Sequence, residues 1–142
     1  MSAAGGARLY FEDVTVGDEA VTPALTVTGA HVALYTGLAG DEPGDPDRVP
    51  DFLPLALATG LGWRLPRPPL AVQAFLALEW EILKPLRVGD TIRAASRATA
   101  RRATREGGIV IEEQRILDQH GEVVQQGRFT FLVARRPPED AP

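Results

Sequence analysis

The 142-residue sequence has no cysteine, a single lysine and a single methionine, and only 6% of its residues are aromatic. Without cysteine there can be no disulfide bond, no thiolate nucleophile and no cysteine-ligated zinc. This composition fits a reducing compartment, and we expect a cytoplasmic protein. The two histidines, His31 and His120, lie far apart in the sequence, so we expect neither a histidine-based metal site nor a cofactor.

Positive charge and long apolar runs are also scarce. The chain carries 15 basic and 19 acidic residues, for a net charge of −4, whereas a nucleic-acid-binding protein would present a basic patch. No stretch approaches the roughly 18 consecutive apolar residues of a membrane-spanning helix, and residues 1–7 lack the basic and apolar regions of a signal peptide. We therefore expect no nucleic-acid partner and no membrane partner.

The length of the chain predicts one domain. Residues 1–7 are mostly small and are expected to be flexible, and residues 136–142 form a proline-rich, acidic tail that is expected to be disordered. The predicted domain spans residues 8–135.

A strand and a short helix are predicted in the first third of the chain. Residues 19–28 contain spaced apolar side chains but are interrupted by Pro23, which places the strand at a sheet edge or a bulge. Thr28 can cap a helix that ends at Gly40. One face of this helix carries residues spaced i, i+3, i+4 and i+7, namely His31, Leu34, Tyr35 and Leu38.

A second, longer helix is predicted over residues 52–65, which are almost wholly apolar and should be buried on most sides. Asp51 is its predicted N-cap. Pro54 falls in the first turn, where no backbone N–H is needed. Between the two helices, residues 41–50 are rich in aspartate, proline and glycine and form a loop.

The second half of the chain reads as four strands joined by tight turns, which predict an antiparallel meander. These strands cover residues 71–83, 91–104, 109–118 and 122–135. We expect this sheet to curl round the long apolar helix, because each of the two must bury its apolar surface against the other. The predicted class is α+β, a hot-dog fold with a curled antiparallel sheet wrapped round one central helix. Because the sheet leaves an open edge, we expect a homodimer.

Three stretches in order carry a resemblance to a known family. They are residues 11–18 (FEDVTVGD), residues 35–41 (YTGLAGD) and residues 78–91 (LEWEILKPLRVGDT). Over residues 9–134 the chain resembles MaoC-like (R)-specific enoyl-thioester hydratases and 3-hydroxyacyl dehydratases. The resemblance implies a substrate on coenzyme A or acyl carrier protein, held between two subunits and hydrated or dehydrated at C2–C3.

The resemblance also implies a site, and the sequence departs from it. The family signature runs G-D-x-N-P-x-H, and its Asp and His activate water beside the N-terminus of the hot-dog helix. Asp41 matches the Asp, whereas Pro43 and Pro46 stand in place of the Asn and the His. The loop is also short, and Phe52 stands where the family has a glycine. The site is therefore either rebuilt with carboxylates or abandoned, and Asp41 is the first catalytic candidate.

Other residues near this loop are candidates as well. Asp45 could pair with Asp41, because two neighbouring carboxyls push their pKa values apart; the alternative is a solvated loop carboxylate. Asp51 is either an N-cap alone or an N-cap beside the oxyanion donors. His31 is either a core histidine or the one histidine of the site. The substrate-contact candidates are Tyr35, Phe52 and Leu53.

Three functions stay open. The first is a hydratase or dehydratase acting on an acyl thioester. The second is a thioesterase, isomerase or cyclase of the same fold that uses a lone carboxylate. The third is a degenerate subunit that binds acyl chains without catalysis.

Overall fold

The computed structural model describes residues 6–40, 42 and 44–139. The helices and strands follow in the order β1 (Glu19–Val21), β2 (Leu25–Thr26), α1 (Gly29–Ala39), α2 (Leu53–Leu61), β3 (Val72–Ile82), β4 (Thr91–Ala103), β5 (Gly108–Leu117) and β6 (Val123–Val133). Short 3-10 turns cover Phe11–Asp13 and Gly62–Arg64. Most of the two predicted flexible termini, residues 1–5 and 140–142, lies outside the described residues.

One antiparallel sheet contains the strands, in the order β1-β4-β5-β6-β3, with β2 also paired to β4. The four long strands are confirmed, and so is the break at Pro23, which separates β1 from β2. The predicted meander is only partly right, since β3 lies beside β6 and not beside β4. The segment between β3 and β4 crosses the fold, and the backbone of the 47–49 loop holds it: Val49 N–H donates to Leu86 O and Val88 N–H to Asp47 O.

Helix α1 begins and ends as predicted. The Thr28 hydroxyl accepts from the backbone N–H of His31, and Gly40 ends the helix with a φ of 72°, which glycine adopts without steric cost. The predicted apolar face is not buried in the single chain, however. Leu34 and Leu38 are 74% and 91% exposed, because α1 packs on the core through Val32 instead.

Helix α2 is shorter than predicted and is buried on one side only. It ends at Leu61 and passes into a 3-10 turn, in a stretch weakened by Gly60 and Gly62. The residues that face the sheet are buried, namely Leu53, Pro54, Ala58 and Leu61. The N-cap is Phe52, with no capping side chain. The prediction of Asp51 as N-cap is therefore wrong, because its carboxylate turns to Arg48 instead.

The core is divided into two clusters on the concave face of the sheet. The helix cluster packs under α1 and α2 and includes Val27, Val32, Val49, Leu53, Ala58, Leu86, Ile92, Ala94, Ile116 and Val124. The N-terminal cluster includes Phe11, Val14, Ala98, Val110 and Val133. Along β5, Val110 belongs to one cluster and Ile116 to the other, and the two inward positions between them are taken by Glu112 and Gln114.

Candidate active site

A cleft of about 740 Å³ lies between α1 and the loop that leads into α2. Its walls come from α1 on one side and from the acidic, proline-rich loop on the other. The lining residues are Gly29, Val32, Ala33, Tyr35, Thr36, Glu42, Gly44, Asp45, Pro46, Arg48, Pro50, Asp51 and Phe52. The cleft thus brings together four of the predicted site residues, Tyr35, Asp45, Asp51 and Phe52.

Tyr35 and Phe52 give the cleft two aromatic walls. Tyr35 packs partly on the helix cluster, whereas Phe52 is 62% exposed at the start of α2. An aromatic lining beside the polar residues of the loop suits a ligand with an apolar body and one polar end.

Asp45 has its carboxylate fully engaged. One oxygen accepts from the backbone N–H of Asp47 at 2.9 Å, and the other accepts from the Arg87 guanidinium at 3.2 Å. The hydrogen bond from the Asp47 N–H, followed by Arg87 and Arg48, holds the pKa of Asp45 below its usual range. A carboxylate in this state is a weak base, so these contacts do not favour a paired-carboxylate mechanism.

Asp51 serves as an attachment point for the start of α2. Its carboxylate pairs with Arg48 at 3.3 Å, and both side chains are about half exposed. Its backbone carbonyl accepts a hydrogen bond from Gln125 at 2.8 Å. Gln125 in turn accepts from the Trp80 indole N–H at 2.8 Å, so a chain of hydrogen bonds ties the rim of the cleft to the sheet.

The first turn of α2 offers few backbone donors for an oxyanion. The N–H of Leu53 donates to Pro50 O at 3.1 Å, and Pro54 has no N–H. Two of the first three positions of the helix are therefore unavailable, which leaves Leu55 as the remaining donor of that turn.

Two further predicted residues do not line the cleft. His31 is occupied at the start of α1, where its Nδ1 accepts from the Thr28 backbone N–H at 2.9 Å and lies 3.0 Å from the Thr28 hydroxyl. Leu53 is 5% exposed and belongs to the helix cluster. The remaining candidate, Asp41, lies outside the described residues, as does Pro43.

No protein-family model matches this sequence, and no curated protein matches it. Solved structures do match. A monoamine oxidase regulatory protein from Archaeoglobus fulgidus superposes with a TM-score of 0.82 at 22% identity, over 92% of this chain and 97% of that one. A MaoC-like dehydratase from Rhodospirillum rubrum gives 0.80 at 24% identity, over 92% and 99%. An (R)-hydratase from Pseudomonas aeruginosa gives 0.75 at 14% identity, over 95% and 94%.

This chain has the MaoC-like hot-dog fold. The similarity extends over nearly the whole chain and confirms the predicted fold class and the predicted resemblance to MaoC-like proteins at the level of the fold. At these sequence identities, the similarity shows the fold and nothing about activity.

Sequence reasoning missed three features of this MaoC-like fold. Arg48 lines the cleft and pairs with Asp51, but nothing in the loop composition marks it. Gln125 stands at an inward position of β6, where an amide must find partners. Glu112 does the same in β5, and the period-two alternation from Val110 to Ile116 was a signal that could have found it.

A second cavity, of about 500 Å³, lies between the C-terminal end of α2 and the concave face of the sheet. Glu112 and Gln114 are among its polar lining residues, and Trp63, Phe75, Phe129 and Phe131 are among its aromatic ones. Glu112 is only 8% exposed. Burial raises the pKa of its carboxyl, and the charge of Arg67 and the hydrogen bond from Gln114 offset only part of that rise.

In the part of the chain that the structure describes, no helix is both long and apolar enough to span a membrane. Among those same residues, no three His, Asp or Glu side chains converge as the ligands of a metal ion would.

Proposed function

We propose that this protein hydrates or dehydrates an acyl thioester at C2–C3, with the thioester carried on coenzyme A or acyl carrier protein. The observation that carries the proposal is the cleft beside α1, because Tyr35 and Thr36, which begin the YTGLAGD segment, line it. The fold around it is shared with proteins described as a MaoC-like dehydratase and an (R)-hydratase.

The reaction needs a base and a donor for the developing enolate. In the hydration direction, the base takes a proton from water while the water oxygen bonds to C3. The electrons of the C2–C3 double bond move to the thioester oxygen as an enolate, which then takes at C2 the proton that the base removed from water. We assign the base to Asp41 and the enolate donor to the first turn of α2, where the N–H of Leu53 is already donated to Pro50, Pro54 has no N–H and Leu55 carries the remaining one.

Substrate contacts follow from the walls of the cleft. We propose that Tyr35 and Phe52 contact the acyl thioester, and that Leu53 contributes by fixing the start of α2 in the helix cluster. Asp45 and Asp51 then keep the loop in place through Arg87 and Arg48. His31 caps α1.

A non-catalytic acyl-binding subunit is the second candidate. It is favoured by the engagement of Asp45, Asp51 and His31 in structural contacts, and by Pro46, which cannot transfer a proton. The third candidate function is that of a thioesterase, isomerase or cyclase that relies on Asp41 alone.

We also propose that the protein is a homodimer that pairs through β3. This strand lies at the end of the sheet, and it exposes Phe75, Leu76 and Leu78 by 47–50%. Unpaired backbone groups and apolar side chains on one strand are what a second sheet edge would cover. A cytoplasmic location stays a prediction from the cysteine-free sequence.

The deciding experiment is incubation with crotonyl and 3-hydroxybutyryl thioesters of coenzyme A, followed by separation of the products. Formation of the 3-hydroxyacyl thioester from crotonyl thioester, or the reverse, supports the hydratase. Release of free thiol supports the thioesterase. Binding without turnover on either thioester supports the acyl-binding subunit and overturns the hydratase.

A further inference from the structure

The second cavity is built around one carboxyl group. Glu112 occupies an inward position of β5 at the point where the core divides, so the two apolar clusters do not meet there. A buried carboxyl in such a place is costly unless a partner satisfies it. Its presence where an apolar side chain would close the core indicates a use for the cavity.

Only one of the two carboxyl oxygens of Glu112 has a hydrogen-bond partner within the described residues. One oxygen accepts from the Gln114 amide at 2.9 Å. Within the described residues, the other oxygen of Glu112 has no hydrogen-bond partner and no salt bridge. Every fully buried polar side-chain atom among these residues has a hydrogen-bond partner, so this oxygen cannot be fully buried. The second oxygen therefore opens on the cavity.

Two arginines, Arg8 and Arg67, border the cavity. The charge of Arg67 offsets only part of the effect of burial on the pKa of Glu112. The strands and helix packed over Glu112 contribute uncharged residues, such as Thr22, Ser96 and Phe129. Glu112 is thus the one carboxyl that lines the described cavity.

The walls indicate the rest of the ligand. Phe75 packs against Phe129 and Phe131 with ring centroids 5.0 Å away in each case, and these three rings form one side of the cavity. An aromatic wall with a small number of polar groups, here including Glu112 and Gln114, is the usual design of a small-molecule site, and a volume of about 500 Å³ lies in the range of such sites.

We propose that this cavity binds a neutral, largely apolar molecule bearing a ketone or hydroxyl oxygen, which accepts a hydrogen bond from the protonated carboxyl of Glu112. The site lies at the end of α2 opposite the cleft that Phe52 borders. The proposal does not depend on thioester chemistry in that cleft. Ionised Glu112 has no proton to donate, so binding weakens as the pH rises.

The test uses acetophenone, with ethylbenzene as a hydrocarbon of similar shape that lacks the oxygen. The protein has two tryptophans, and only Trp63 lines the cavity. In a titration of the ¹⁵N-labelled full chain, acetophenone should shift the Trp63 indole resonance. Trp80, whose indole is bonded to Gln125, is the internal reference. A Trp63→Phe variant assigns the two signals.

Affinity for acetophenone should fall at least about fivefold as the pH is raised from below the ordinary pKa of a glutamic acid, about 4.3, toward alkaline values, which is the size of one lost hydrogen bond. Affinity for ethylbenzene should stay constant. In Glu112→Gln the pH dependence should disappear, whereas Glu113→Gln, which alters the adjacent residue on the other face of β5, should keep it. Ser96→Leu should fill the cavity from β4 and abolish the Trp63 shift.

Three results would overturn the proposal. The first is the absence of a Trp63 shift with acetophenone in the parent protein. The second is a pH dependence that survives in a folded Glu112→Gln variant. The third is equal affinity for acetophenone and ethylbenzene at every pH.

Discussion

Gln125 in β6 donates a hydrogen bond from its side-chain amide to the backbone carbonyl of Asp51, 74 residues away, at 2.8 Å. Gln125 is 2% exposed, and its amide oxygen accepts from the Trp80 indole. One buried side chain thus fixes the start of α2 relative to the sheet, and with it one rim of the cleft.

Replacing Gln125 by alanine should lower the free energy of unfolding by about 2–4 kcal/mol, because the change leaves a small cavity and removes the partners of a buried indole N–H and a carbonyl. The matched control is Gln126→Ala, which removes an exposed bond to Glu81 and should cost less than about 0.5 kcal/mol. Urea unfolding measures both. Equal losses for the two variants would contradict the anchoring role.

Asp41→Asn should lower turnover on a thioester substrate by about a hundredfold or more, the size of a lost general base, with little change in melting temperature. His31→Gln should leave turnover largely intact and destabilise the protein by about 1 kcal/mol, because Nδ1 no longer accepts from the Thr28 backbone N–H. Steady-state kinetics and thermal unfolding separate the two effects. Full activity in Asp41→Asn would show that the site is built from other residues.

Glu112→Gln should stabilise the protein at neutral pH and flatten its stability profile. Burial raises the pKa of Glu112 above the usual 4.5. Below that value both the folded and the unfolded chain hold the proton, and no stability is lost. As pH rises toward the raised pKa, the unfolded chain ionises first, so parent stability falls. Chemical unfolding at a series of pH values measures the difference, which should grow upward from about pH 4.5. A constant difference would contradict burial of an ionisable carboxyl.

Leu78→Glu should convert the proposed dimer to monomers, because it places a charge on the exposed apolar part of the β3 edge. Val16→Glu is the control, since Val16 is 53% exposed in a turn away from that edge and should leave the dimer intact. Sedimentation at micromolar concentration measures the mass. A monomeric parent protein would exclude the dimer outright.

Local sequence patterns were sufficient for most of the fold. The alternation of apolar residues predicted the four long strands to within two residues, Pro23 marked the break between β1 and β2, and Thr28 and Gly40 marked both ends of α1. These features depend on backbone geometry within a few residues, so the sequence contains all the information needed to predict them.

The sequence was less informative wherever a distant partner decided the outcome. Asp51 is a residue type that often caps helices, but Gln125, 74 residues away, takes its backbone carbonyl, and its carboxylate pairs with Arg48 within the same loop. The helix predicted over residues 52–65 ends at Leu61, because the sheet covers only one side and two glycines weaken the last turn. The strand order was also beyond local reasoning, since β3 pairs with β6 across the chain.

The sequence by itself determined that this protein is a curled antiparallel sheet packed on an apolar helix, because periodicity and turn residues act locally. The tertiary structure alone decided which polar side chains are free to act. It pairs Asp45 with Arg87, ties the backbone carbonyl of Asp51 to Gln125 and leaves one oxygen of Glu112 open to a cavity. These outcomes depend on groups that lie far apart in the sequence, and long-range packing brings them together.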